Sequence, residues 1–251
     1  MTKIALITGA SAGIGQALAS RLAQRGYHLA LAARRVESLQ SLAEGIRARS
    51  PGCRVEVRAL DVTDLDAVQA TVAEIAQSMG GLDLVVANAG IGDGGPIGSG
   101  KFAQDVRLMQ TNVLGAMATI DAAVSIFKKQ KSGQVVAISS VAAFRGLPGA
   151  AAYSASKAAI ATYTEALRAE LHHTPIIVTT LFPGFIDTAI NNRMKKRPFL
   201  IDVEKGAEIM ADLIERGVQT STVPVMPWTV VGKLMKVMPM SALARQKPFE
   251  S

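Results

Sequence analysis

The chain has one cysteine, three histidines, one tryptophan and only 4% aromatic residues. The single thiol, Cys53, cannot form an internal disulfide, and with no histidine near it in sequence it reads as inert. That usage fits a reducing, cytoplasmic setting. So few histidines and cysteines leave no metal cluster to suggest. No apolar run reaches the roughly eighteen residues that a membrane-spanning helix needs. The opening Lys3-Ile-Ala-Leu-Ile-Thr8 lacks the separate basic and apolar regions of a secretion signal and reads as a first strand. Acidic residues are outnumbered, for a net charge of +7, yet the basic residues are spread out and no aromatic-interleaved basic face occurs. Nucleic acid is therefore set aside, while an anionic ligand or an anionic membrane surface fits the charge. One local concentration stands out, Arg193-Met-Lys-Lys-Arg197, which could attract an anionic carrier or headgroup but reads first as a solvated lid face.

What is present is enough apolar sequence for a sizeable core. At 251 residues, 49% hydrophobic and 19% charged, the chain fits a single domain over residues 1–251. Short apolar runs (Ile4 to Ile7, Leu29 to Ala33, Val55 to Leu60, Leu84 to Ala87, Val135 to Ile138, Ile176 to Leu181) alternate with helical stripes such as Ile14, Leu18 and Leu22, or Leu39, Leu42 and Ile46. Such alternation predicts a doubly wound α/β fold, a parallel sheet with helices on both faces. A further helix is expected from Val203 to Ile214 and a last strand from Thr222 to Met226.

The first strand runs into Thr8-Gly9-Ala-Ser-Ala-Gly13-Ile-Gly15, where a helical pattern begins. Strand, glycine turn and helix in that order suit a pyrophosphate, because glycine lets the backbone come close and a helix N-terminus offers unpaired N–H groups. Further on, Tyr153-Ser-Ala-Ser-Lys157 sets a phenol and an ammonium four residues apart. In a helix that is one climb of about 6 Å, so both share a face. To carry protons near neutral pH the phenol's pKa must fall by about three, roughly 4 kcal/mol of differential stabilisation. One cation at about 4 Å in an effective dielectric near 20 supplies about that much.

The Gly-x-x-x-Gly-x-Gly spacing together with this tyrosine and lysine resembles the short-chain dehydrogenase/reductase family. Also matching are Asp61-Val62, Asn88-Ala89-Gly90, Asn112, Ser140 thirteen residues before Tyr153, and Pro183-Gly184, so the likeness covers roughly residues 3 to 190. The resemblance implies a Rossmann-type oxidoreductase with Asn112, Ser140, Tyr153 and Lys157 as its catalytic set. Tyr153 exchanges a proton with the substrate oxygen, Ser140 orients that oxygen, Lys157 lowers the phenol pKa and holds the ribose, and Asn112 kinks its helix and holds a water relay. It implies cofactor contacts at Gly9, Ser11, Gly13, Ile14, Gly15, Asn88, Ala89 and Gly90. Asp61 and the Val62 backbone would flank the adenine, although Asp61 also reads as an N-cap for the helix that follows. After the sixth strand, Pro183, Gly184, Ile186 and Thr188 would close on the nicotinamide.

At the end of the second strand an acid is missing at Ala33, and Arg34 and Arg35 follow. A guanidinium fork suits a 2′-phosphate, which points to NADP(H), with Arg34 the main contact and Arg35 or Ser11 assisting. Beyond about residue 189 the chain departs from the family pattern and reads as a substrate lid and variable tail. In helical projection Trp228, Val231, Leu234, Met235 and Met238 share one side, with Lys233 and Lys236 on the other. That segment could cover an apolar pocket, pack against a second subunit or rest on a membrane surface, packing being preferred. The expected function is carbonyl–alcohol interconversion on a mainly apolar, small or lipid-like substrate, by a homodimer or homotetramer. Reduction of 3-ketoacyl thioesters and a catalytically silent NADP sensor stay open beside it.

Overall fold

A computed structural model describes residues 2–191 and 197–244. In chain order its elements are β1 (Ile4–Thr8), α1 (Gly13–Gln24), β2 (His28–Ala33), α2 (Val36–Arg49), β3 (Val55–Ala59), α3 (Leu65–Met79), β4 (Leu84–Ala87) and α4 (Phe102–Met109). A π-helical segment (Gln110–Gly115), α5 (Ala116–Gln130), β5 (Gly133–Ile138), a 3₁₀ turn (Val141–Phe144) and α6 (Ala151–Glu170) follow. The chain continues through β6 (Ile176–Pro183), α7 (Val203–Glu215), β7 (Thr220–Val223), α8 (Trp228–Val237) and α9 (Met240–Ala244). No helix of the described residues is long and apolar enough to cross a membrane.

The strands form one seven-stranded sheet in the order β3-β2-β1-β4-β5-β6-β7, every pair parallel. Strand side chains alternate between two buried layers. Ala5 and Ile7 pack with Leu18 and Leu22 of α1, Leu39 of α2 and Met210 of α7. Leu6, Val85 and Val135 pack on the opposite face with Val72 of α3, Phe127 of α5 and Ile160 of α6. Each large side chain so buried contributes about 1.5–3 kcal/mol relative to exposure, which is what holds these six helices on a sheet with no polar face. Arg25 at the end of α1 ties α7 down through Glu208, Asp212 and Glu215, at 2.5, 2.5 and 2.7 Å.

Two boundaries differ from the sequence pattern for identifiable reasons. Asp64, not Asp61, caps α3, its carboxylate accepting from the Ala67 amide at 3.0 Å. The last strand lies at Thr220–Val223 and stops at Pro224, which has no N–H to extend a ladder. The chain winds outward from β1 in one direction and from β4 in the other, so the turns after these neighbouring strands diverge. A crevice opens there, the usual ligand position in this architecture.

Candidate active site

The crevice is clamped by Thr8 at the end of β1. Its hydroxyl donates to the Val86 carbonyl at 3.3 Å and accepts from the amides of Asn88 and Ala89 at 3.2 and 3.3 Å. In return the Asn88 amide donates to the carbonyls of Thr8 (2.9 Å) and Gly9 (3.3 Å). Gly9 is what allows this approach: its φ is +68°, and a Cβ there would stand 2.7 Å from the Ala89 Cα. Gly9→Ala combines left-handed strain with a backbone collision, so it is expected to cost roughly 2–4 kcal/mol. A lower urea midpoint at unchanged denaturant slope checks this, and an unchanged midpoint refutes it.

Ala33 ends β2, and the two arginines after it go separate ways. The Arg35 guanidinium donates to the Ser11 hydroxyl through Nε at 3.3 Å and Nη2 at 3.1 Å, which lays it beside the glycine turn. Arg34 is exposed and its Nη1 lies 3.7 Å from Asp61 Oδ2. Burial alone would raise the Asp61 carboxyl, but bonds from the Thr63 amide and hydroxyl, with the Arg34 charge, hold it below the usual carboxylate range. Both arginines border a cavity of about 440 Å³ that extends to Ser140, Tyr153 and Lys157.

At that far end β5 and α6 set the chemistry. The two serines after β5 divide as strand alternation requires: Ser139 donates to the Lys157 carbonyl at 2.8 Å, within the core. Ser140 is a hydrogen-bond partner of the Tyr153 phenol and also caps the 3₁₀ turn, accepting from the Ala142 amide at 3.2 Å. Tyr153 borders the cavity, and burial pushes its phenol above the ordinary value, a shift that the Ser140 bond opposes only in part. Lys157 is 7% exposed and donates to the Ile138 carbonyl at 2.9 Å. Burial pulls its ammonium down to about 8. The sequence-based figure assumed a cation about 4 Å from the phenol. Here the Nζ lies 5.8 Å from the ring centroid and is engaged by a carbonyl, so in the free protein desolvation governs the tyrosine.

The model of the short chain dehydrogenase family matches residues 3–198. This chain belongs to the short-chain dehydrogenase/reductase family. It is 41% identical over 244 residues to an uncharacterised oxidoreductase of Myxococcus xanthus, covering 94% of this chain and 93% of the relative. It is 39% identical over 235 residues to an uncharacterised oxidoreductase of Mycobacterium tuberculosis, covering 93% of each. Among solved structures, an alcohol dehydrogenase of Thermococcus sibiricus complexed with 5-hydroxy-NADP is 28% identical with a TM-score of 0.80, covering 88% of this chain and 95% of that one. A short chain dehydrogenase/reductase of Burkholderia phymatum in complex with NAD is 23% identical, and its TM-score of 0.85 over 100% of this chain and 97% of that one bears on the fold.

Of the positions that the family pattern singled out, Gly9, Ser11, Gly13, Ile14, Asp61, Val62 and the Asn88–Gly90 turn line the cavity, as do Pro183, Gly184 and Thr188. Gly15, Asn112 and Ile186 do not. Gly15 packs against the Asn88 amide, and Ile186 is fully buried, its carbonyl accepting from Thr188 (3.3 Å) and Asn191 (2.7 Å). Asn112 sits in the π-helical segment, where its amide pairs with the Ile91 backbone at 2.8 and 2.9 Å. The chain passes close to both groups at Gly90, where a Cβ would sit 3.2 Å from Asn112 Oδ1 and 3.5 Å from Lys157 Nζ.

Ser156 escaped the sequence reading. Fully buried, it accepts from Asn112 Nδ2 at 3.2 Å and donates to the Tyr153 carbonyl at 2.8 Å, joining the π-helical segment to α6. Its only signal was a hydroxyl on the residue before the lysine. Of the basic cluster, residues 193 to 196 lie outside the described residues, and Arg197 pairs with Asp187 at 2.8 Å.

Proposed function

We propose that the protein is an NADP(H)-dependent oxidoreductase that interconverts a carbonyl and an alcohol on a mainly apolar, small or lipid-like substrate. The observation that carries this reading is one cavity with Ser140, Tyr153 and Lys157 at one end and Arg34 and Arg35 at the other. Its shape suits a dinucleotide: the side-chain-free turn at Gly9 and the uncapped start of α1 favour a pyrophosphate, and two guanidinium groups favour a 2′-phosphate. The Thermococcus sibiricus alcohol dehydrogenase, which binds 5-hydroxy-NADP, supports the same assignment by likeness. Bound there, the nicotinamide supplies a hydride to a carbonyl carbon or accepts one from an alcohol.

The chain's own residues handle the oxygen and the proton. Ser140 donates a hydrogen bond to the substrate oxygen and orients it. Tyr153 gives that oxygen its phenolic proton as negative charge develops. Because burial keeps the phenol protonated, the free protein is poised as an acid, which suits reduction. The Lys157 ammonium stabilises the phenolate left behind and holds the ribose hydroxyls, and Asn112 fixes the route by which solvent returns the proton. Ile91, Val141, Leu147, Phe185 and Ile190 line the cavity and leave little to satisfy a polar substrate.

The test is NADPH consumption against a panel of aldehydes, ketones, sterol-like carbonyls and thioester-linked 3-ketones. Turnover on apolar ketones or aldehydes supports the reading, and no turnover with NADPH tightly bound replaces it with a sensor. The cofactor assignment has its own check. Arg34→Asp removes a charge-assisted bond of about 1.5–3 kcal/mol, so the NADP preference in kcat/KM is expected to fall roughly 10- to 100-fold. Equal kcat/KM for NAD and NADP in the wild type, or an unchanged ratio in the variant, removes the NADP assignment.

A further inference from the structure

We propose that the outer face of α8 is a docking surface for an anionic lipid bilayer. The helix has two apolar faces, and among the described residues only the inner one is packed against the rest of the chain. Trp228 stacks edge-on against Phe185 and Phe199, at 5.8 Å each, and lies directly over Gly184. Gly232 admits the Phe144 ring, and a Cβ there would meet it at 2.5 Å. Arg145 donates to the carbonyls of Lys236 (3.4 Å) and Met238 (3.2 Å) and so pins the far end of the helix. The stripe read from the sequence is thereby corrected: Trp228, Gly232 and Met235 turn inward, and Leu234 does not.

Leu234 belongs to a second stripe. On α8, Val230, Leu234 and Val237 recur at intervals of four and three and are 56, 59 and 76% exposed, while Met226 before the helix and Met240 at the start of α9 are exposed as well, at 62 and 66%. Residues at that spacing form one continuous line along a helix. Lys233 and Lys236 lie beside the line and are exposed, the Lys236 ammonium 5.3 Å from the Phe144 ring centroid, and no aspartate or glutamate occurs between Glu215 and Glu250. The face is therefore apolar with a rim of one sign.

That combination selects the occupant. In a self-complementary pairing of two copies, each stripe would bring its lysines toward those of the other, with no acid in the segment to compensate. A bilayer with anionic headgroups takes both features: the apolar side chains enter the headgroup boundary, while lysine stems extend along it and their ammonium groups reach the phosphates. The surface stands independently of the reaction assigned above.

Co-sedimentation of the full chain with phosphatidylglycerol-rich vesicles, against pure phosphatidylcholine vesicles, tests it. Binding to the anionic vesicles is expected, weakening as salt rises. Leu234→Glu with Val237→Glu is expected to weaken that binding at least about tenfold, because two exposed apolar anchors are lost and two negative charges are added. Lys233→Glu with Lys236→Glu is expected to erase the preference for anionic lipid. All four side chains are solvent-exposed and outside the cavity, so circular dichroism and NADPH titration should match the wild type in both variants. Failure of the wild type to sediment with anionic vesicles overturns the proposal, as does undiminished binding by the 234/237 variant. Self-association that Leu234→Glu abolishes, without vesicle binding, assigns the face to a second copy instead.

Discussion

Tyr153→Phe is expected to lower kcat by about two to four orders of magnitude, the usual worth of a positioned general acid, and to leave NADPH affinity within a few-fold of the wild type. The substitution removes one hydroxyl and keeps the ring that forms part of the cavity wall, so the cradle at Gly9, Arg34 and Arg35 is untouched. Ser140 loses one hydrogen-bond partner but keeps the Ala142 amide at 3.2 Å, so its position holds. Fluorescence titration of NADPH separates binding from single-turnover chemistry. Turnover within tenfold of the wild type would exclude Tyr153 as the acid. Loss of NADPH binding would mean that its role is structural.

Lys157→Met is expected to lose turnover as well, while changing stability in a way that depends on pH. The ammonium has a pKa of about 8 in the folded chain against 10.5 unfolded. Below pH 8 both states carry the charge, and the folded state bears the full desolvation cost, about 3 kcal/mol at 1.36 kcal/mol per unit. Between pH 8 and 10.5 the unfolded chain holds a proton that the folded chain has released, so this group makes stability rise with pH. Above 10.5 the cost is gone. Methionine carries no such charge but leaves the Ile138 carbonyl without its donor, at about 1–3 kcal/mol. The gain from the substitution near pH 7 is thus small. The difference between the two proteins should nevertheless change by about 3 kcal/mol between pH 7 and 10.5, in favour of the wild type at high pH. Urea unfolding at a series of pH values reads this directly, and a pH-independent difference refutes the buried ammonium. The same ionisation predicts that kcat/KM for reduction falls above about pH 8, as Lys157 loses the charge that stabilises the phenolate.

Much of this was legible from the chain because it rests on local, periodic chemistry. Short continuous apolar runs alternating with helical stripes are enough to imply a parallel sheet covered on both faces. A glycine turn between a strand and a helix suits a phosphate cradle. The order Asn112, Ser140, Tyr153, Lys157 could be read as a family pattern, and the Tyr153–Lys157 spacing places both on one helical face.

What could not be read is whatever depends on which distant groups meet. Asp61 and Asp64 are both sound caps in sequence, and only the path of the chain makes Asp64 the cap and leaves Asp61 facing Thr63 and Arg34. Ser156 has no motif of its own, and its role exists only because the π-helical segment arrives against α6. The tail is the sharpest case, since the helical projection put Leu234 on the same side as Trp228. Tertiary packing separates them, because Trp228 and Gly232 have Gly184 and Phe144 to meet, while Leu234 and Val237 stay exposed among the described residues.

The sequence by itself determined the fold class and the family, since periodicity and spacing carry them, and it named the residues proposed to exchange a proton with a substrate. Only the tertiary structure decided the electrostatic state of those residues and the two faces of α8. Burial and neighbours set both, and both come from parts of the chain far away in sequence.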